Sequence, residues 1–189
     1  SIRSALETLP LVKAEAQREK LTALLQQDVR RLDRLITDIS NASRLDAELA
    51  RDRPRTVDLT ALLSDIVDVY QTSPKPGDVP LHLSINTPGP TRIVGRDGPL
   101  GQVIRNLIDN ARSFSPPDGS VRLTLDRAPD GSQDIRIRVE DDGPGIPVEN
   151  LETVFQRFYT SRPKGTQFGS NSGLGLSIVR QIIEAHGGR

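Results

Sequence analysis

The chain has 189 residues, enough for one filled domain plus an extended element, or for one large domain. Lys+Arg and Asp+Glu balance at 25 each, so no global field favours nucleic acid or an anionic membrane surface, and the absence of Cys removes disulfides, thiolate metal sites and a cysteine nucleophile. Only 2 His exclude a histidine-rich metal site, and no apolar run approaches the ~20 residues of a membrane span, so the segment is expected to be soluble.

Ser1 to Leu9 reads as the end of a helix, broken at Leu9-Pro10-Leu11. From about Gln17 to Arg51 there is no Pro or Gly, and Leu21, Leu25, Leu32, Leu35, Ile39 and Ala42 recur at four-three spacing, with Asp28 as the polar exception. Leu24, Val29, Ile36, Leu45 and Leu49 widen that stripe to the breadth of a four-helix-bundle helix. Residues 1–51 are therefore expected to form a helical hairpin that dimerises into a four-helix bundle, with a long helix packed on its own globular domain as the alternative. A linker is expected over 52–56, where Pro54 ends the helix.

After it the pattern becomes α+β. Asp58 can cap a helix from about Leu59 to Tyr70, Ser73 to Pro80 is a loop, and Leu81–Ile85 alternates as a strand. Asp97 is expected to cap a helix extending to about Ser113. Val121–Leu125 and Ile135–Val139 alternate strictly, as strands joined through a hairpin-like turn at Pro129-Asp130-Gly131. A mixed sheet with helices on one face, a two-layer α/β sandwich, is expected for residues 57–189. Phe155 to Ser172 reads as a mobile loop, a lid over a ligand.

Four short segments in fixed order carry the chemistry: Asn106-Leu-Ile-Asp-Asn110-Ala111, Asp141-Asp-Gly143-Pro-Gly145, Phe155-Gln-Arg-Phe158-Tyr159 and Ser172-Gly173-Leu174-Gly175-Leu176. Two carboxamides one helical turn apart can reach a metal ion and its phosphates from one helix face. A carboxylate beside closely spaced glycines can accept a hydrogen bond from a base amine while the backbone passes close to the ligand. A glycine pair just before a helix offers free N–H groups and a positive dipole end to phosphate. The ordered set describes a nucleotide site. Asp142 reads as a solvated turn residue, His82 as structural, and His186, in Glu-Ala-His-Gly-Gly, as a cation at a helix end. Phe155 and Phe158 are open between core or lid packing and a site role.

With Arg31-Leu-Asp-Arg-Leu-Ile before them, these segments resemble the dimerisation and catalytic core of a bacterial sensor histidine kinase over nearly the whole chain. They match that family's N box, first glycine box, F box and second glycine box in turn. The wording Asn110-Ala-Arg-Ser-Phe-Ser115 and Phe158-Tyr-Thr-Ser-Arg-Pro163 is most similar to the ChvG/ExoS subgroup of alphaproteobacterial envelope sensors. The resemblance implies that Asn110 binds Mg2+ bridging the phosphates of ATP, with Asn106 in support. It implies that Asp141 accepts the adenine amino group, that Gly143 and Gly145 let the loop approach the base, and that Phe114 offers a ring face. Gly173, Leu174 and Gly175 would place phosphate at the start of the last helix. It further implies a homodimer, a response-regulator receiver domain as partner, and a place on the cytoplasmic side of the bacterial inner membrane, with membrane segments only outside this chain.

Departures from the pattern are as informative. The family's phosphoacceptor motif His-Glu-x-x-x-Pro-Leu would fall just before Ser1, so the chain is expected to be a fragment that lacks the reactive histidine. The family often has Lys where Ser113 stands and Arg where Thr160 stands, which leaves Arg112 and Arg162 as candidate substitutes near phosphate. The family's last strands, which would follow Gly-Gly-Arg, are expected to be missing from the fragment too. Two other readings stay open: another ATPase of the same superfamily, and a non-catalytic dimeric scaffold with a degenerate nucleotide site.

Overall fold

The computed structural model describes residues 18, 19, 21–23, 25, 26, 29, 32, 36, 40, 53–74, 77–130, 132, 134–159 and 173–189. Within the first 51 residues every described residue is helical, and Val29, Leu32 and Ile36 are exposed in the single chain. The helix before Pro10, the break after it and the dimer seam as a whole lie outside the described residues.

The expected linker gives way at Arg55. Residues Arg55–Asp58 form strand β1, which pairs antiparallel with a second short strand, Arg92–Gly95, with Val57 opposite Ile93. Helix α1 (Leu59–Thr72) follows directly, and Asp58 caps it as expected: its Oδ1 accepts the amides of Thr60 (3.1 Å) and Ala61 (3.3 Å). Strand β2 (Leu81–Ile85) comes next, and the strand at Arg92–Gly95 is β3.

Helix α2 (Asp97–Phe114) starts one residue earlier than a capping Asp97 would give. Arg96 is the N-cap, without a side-chain cap bond, and the Asp97 carboxylate instead takes both contacts from Arg55 Nη2, at 2.9 and 3.1 Å. The aspartate still sits in the first turn, where the dipole favours negative charge. Strands β4 (Val121–Arg127) and β5 (Ile135–Asp141) each run two residues beyond the expected ends, and helix α3 (Gly175–Ala185) closes the described fold.

The main sheet has the order β2-β4-β5, with β2 parallel and β5 antiparallel to the central β4. A parallel pair needs a long crossover, and the chain from 86 to 120 supplies it as β3 and α2. Alternation puts Val121, Leu123 and Leu125 of β4 on the covered face, where all three are fully buried. Against them pack Leu63, Ile66 and Val67 of α1, Ile104 and Ile108 of α2, and Ile178 and Ile182 of α3. The opposite face carries Arg122 and Asp126 of β4 with Arg136 and Arg138 of β5, the last two both bonded to Asp126. The two-layer α+β architecture with a mixed sheet and helices on one face is the expected one. Helix α2 contacts both α1 and α3, so whatever its exposed face carries is set between those neighbours.

Candidate functional site

The apolar positions 100, 103, 104, 108 and 111 bury one side of α2, and this leaves Asn106, Asn110 and Phe114, spaced four apart, on another side of the helix. Asn106 reaches across to α3: its Nδ2 donates to the carbonyl oxygen of Gly175 at 3.3 Å. The N-terminal turn of α3 is thereby fixed beside the asparagine row. Asn110 is half-buried, and its own carbonyl accepts the Ser113 hydroxyl at 2.8 Å.

The first glycine segment meets the other end of that row. A Cβ on Gly143 would stand 2.8 Å from the carbonyl oxygen of Phe114 and 2.5 Å from Asp141 Oδ1, so the loop lies on the C-terminal end of α2 with room for glycine alone. The exposed Asp141 accepts the Gly143 amide on Oδ1 at 2.8 Å, which fixes the turn of its carboxylate. Gly145 is exposed, with no side chain or backbone within 4 Å of its would-be Cβ.

The third and fourth segments join at Gly173. Its φ is +76°, a Cβ there would sit 2.7 Å from the Tyr159 carbonyl oxygen, and its own carbonyl accepts the Phe158 amide at 2.9 Å. Phe158 is held at φ 65° with its ring more than half exposed, whereas the Phe155 ring packs under the Arg180 guanidinium, 4.4 Å from its centroid. Phe155 is thus a packing residue, and Phe158 is not part of the core. Most of the expected lid, residues 160–172, lies outside the described residues, Arg162 included.

Some expected roles are corrected. Leu174 is 3 % exposed and belongs to the core, so its side chain does not line the site. Arg112 is no substitute for a phosphate-side cation: it turns toward α1 and the loop that follows it, where Nη1 contacts Asp78 Oδ2 at 2.7 Å and the guanidinium lies 4.9 Å from the Tyr70 ring centroid. A side chain only 10 % exposed and already paired has no reach to a ligand on the far side of its helix. His186 ends α3 as expected, with the amides of Gly187 and Gly188 closing back on Glu184 and Ile183. Its ring also ties two helices together. Nε2 accepts the Arg96 amide at 3.0 Å and Nδ1 donates to the Ile182 carbonyl at 2.7 Å, which couples the end of α3 to the start of α2. His82 is an exposed residue of β2.

Asp142 is a turn residue as read, but not a merely solvated one. Its oxygens accept the Ser120 amide (2.9 Å), the Ser120 hydroxyl (3.0 Å) and both terminal nitrogens of Arg122 (2.9 and 3.3 Å). The Arg122 guanidinium, foremost, and the two Ser120 donors hold its carboxyl down to about 2 from an ordinary 3.8. A depressed native value means that this contribution to stability is present above the unfolded value and is lost as pH falls toward the native one. An Asp142→Asn variant is therefore expected to show a shallower loss of stability between about pH 5 and pH 2, read as urea midpoints across that range. Equal slopes in variant and parent would contradict the assignment.

Among the described residues no group of His, Cys, Asp and Glu could hold a metal, and no helix is long and apolar enough to cross a membrane. The donor set does suit a hard cation shared with phosphate, because magnesium takes few protein oxygens and keeps waters. A carboxamide row ending at an α3 N-terminus without a side-chain cap is such a set.

Residues 95–189 match the family described as Histidine kinase-, DNA gyrase B-, and HSP90-like ATPase. The chain is 50 % identical over 198 residues to "Sensor protein ChvG" of Rhizobium meliloti (strain 1021), covering 100 % of the chain and 33 % of that protein. It is 48 % identical over 194 residues to "Sensor protein ChvG" of Agrobacterium fabrum, covering 100 % of the chain and 32 % of that protein. The chain thus spans about a third of the length of the curated relatives it matches. Among solved structures, full-length ShkA in complex with AMPPNP is similar at 27 % identity and a TM-score of 0.65, over 97 % of this chain and 37 % of that one.

Proposed function

The chain belongs to the family of histidine kinase-, DNA gyrase B- and HSP90-like ATPases, and from that premise we propose that it is the nucleotide-binding part of a sensor histidine kinase of a two-component system. The whole protein would move the γ-phosphoryl of Mg-ATP to a histidine outside this chain and pass it to an aspartate of a response-regulator receiver domain. Residues 1–51 would belong to the dimerisation bundle and 57–189 to the catalytic domain, on the cytoplasmic side of the inner membrane. The identity with two proteins named ChvG supports this reading over a gyrase or chaperone type.

One observation carries it. Asn106 bonded to Gly175, and Phe114 backed against Gly143, bring three sequence segments that are far apart in the chain to one side of α2. Asn110 would supply a carboxamide oxygen to Mg2+ with Asn106 in support. Asp141 would accept the adenine amino group, Phe114 would face the base, and the amides from Gly173 to Gly175 would meet phosphate at the start of α3. When bound, magnesium would screen the phosphate charge. The protein's own part is to position the triphosphate and exclude alternatives, which is most of what phosphoryl transfer asks of it.

The test is calorimetric titration of this chain with AMPPNP, with and without Mg2+, beside Asn110→Ala. Magnesium-dependent binding is expected, weakened roughly tenfold or more in the variant and no longer responsive to magnesium, the effect of a lost charge-assisted contact. A chain shown to be folded that binds no nucleotide would sink the reading. The withdrawal of Arg112 to Asp78 favours one other reading, a dimeric scaffold whose site binds nucleotide without supporting transfer. A kinase assay on the full-length protein separates the two.

A further inference from the structure

The β4–β5 ladder ends at Val121 opposite Asp141, the residue read above as the adenine acceptor. Beyond that pair, side chains replace the backbone ladder. Asp142 closes on Ser120, and Arg122 brackets both carboxylate oxygens while its Nη1 also donates to Ser120 Oγ at 3.0 Å. One residue further on, Gly143 is wedged against the Phe114 carbonyl. Asp141 is therefore held between its ladder pair with Val121 on one side and the fixed Asp142 and Gly143 on the other.

We propose that the Ser120–Arg122–Asp142 clamp is a specificity-determining positioning set, which keeps Asp141 where it accepts from an adenine amino group and cannot shift to serve guanine. This inference rests on the reading of Asp141 as the base acceptor. Where adenine presents an amino donor, guanine presents a carbonyl oxygen that a carboxylate repels, with its N1–H and amino donors displaced along the base edge. A carboxylate free to slide along that edge can pair with either base. One that is fixed cannot, because discrimination by a hydrogen bond depends on leaving the wrong partner unpaired.

The clamp is suited to fixing. A two-nitrogen arginine–carboxylate contact constrains direction as well as distance. With Arg122 and Asp142 side chains 45 % and 39 % exposed, its worth to folding is small, since exposed ion pairs stabilise little. Its main effect is thus on geometry at Asp141.

The experiment compares binding of AMPPNP and GMPPNP, both with Mg2+, to the parent chain, Arg122→Met, Ser120→Ala and Arg122→Lys, with a thermal melt for each. In Arg122→Met the adenine analogue is expected to bind roughly 5- to 10-fold more weakly, the size of one weakened hydrogen bond, while the guanine analogue binds as before or better. Ser120→Ala should move the ratio the same way by less, and Arg122→Lys, which keeps the charge and a donor, should restore part of it. A purely structural role would lower the melting temperature without changing the ratio of the two affinities. An unchanged ratio in both Arg122→Met and Ser120→Ala, or an equal fall for both nucleotides, overturns the proposal. Should Arg122→Met not fold, Ser120→Ala and Arg122→Lys decide it by the same ratio. A parent chain without adenine preference would instead overturn the reading of Asp141, and that is seen before any variant is made.

Discussion

Asp78→Ala is expected to cost about 2 kcal/mol of folding stability, as removal of one partner from a largely buried charge-assisted hydrogen bond does. The pair is Arg112 Nη1 with Asp78 Oδ2 at 2.7 Å, and the arginine is the more deeply buried of the two, at 10 % against 22 % exposure. Its Nε is buried without a hydrogen bond. What remains to it is the Tyr70 ring, an attraction of ~1 kcal/mol. Tyr70 cannot offer more, because its hydroxyl donates to Asp109 at 2.7 Å; burial, with that carboxylate in support, pushes the phenol above its usual range. Arg112→Met removes the charge itself and leaves a less buried aspartate that water can reach, so a smaller loss of roughly 1 kcal/mol is expected. The double variant should therefore cost less than the sum of the singles. Urea unfolding with unchanged m values measures all three. A loss under about 1 kcal/mol in Asp78→Ala would show that the cation finds another route to solvent.

The same residue shows where sequence reasoning stops. The regular elements were legible because their signals are local: Asp58 before an apolar-periodic run, and alternation in Leu81–Ile85, Val121–Leu125 and Ile135–Val139. The strands β1 and β3 were not, since each is four residues long, carries charges, and forms only because the other is there to pair with it. The residues of the site were named from motif order, and the fold brings the N box against both glycine segments. Charge on its own says nothing of partner. Arg112 stands two residues from Asn110, yet the helical turn carries it to the α1 side. Leu174 stands between two site glycines, but its side chain fills the core. The Ser120–Arg122–Asp142 contacts and the His186–Arg96 bond join residues about twenty and ninety positions apart, and no local pattern marks them.

Gly143→Ala is expected to weaken adenine-nucleotide binding by about 30- to 100-fold, because it moves the loop rather than straining it. The φ of Gly143 is not in the left-handed region, so alanine meets no left-handed strain there. The obstacle is contact. A Cβ would stand 2.8 Å from the Phe114 carbonyl oxygen, 3.2 Å from its carbon and 2.5 Å from Asp141 Oδ1. Phe114 ends an 18-residue helix packed on both flanks, so the backbone there does not yield. The loop must lift off α2 instead. Lifting breaks the 2.8 Å bond from the Gly143 amide to Asp141 and turns the carboxylate away from the base, a loss of about 2–3 kcal/mol for a hydrogen bond to a charged group. Gly145→Ala is the contrasting case. Its φ of +73° costs an alanine roughly 1–2 kcal/mol, but nothing lies within 4 Å of the new methyl. It should lower stability more than Gly143→Ala does relative to its effect on binding. Paired melts and titrations of the two variants test this, and a Gly143→Ala chain that binds within threefold of the parent would show that the base does not depend on the seat of this loop against α2.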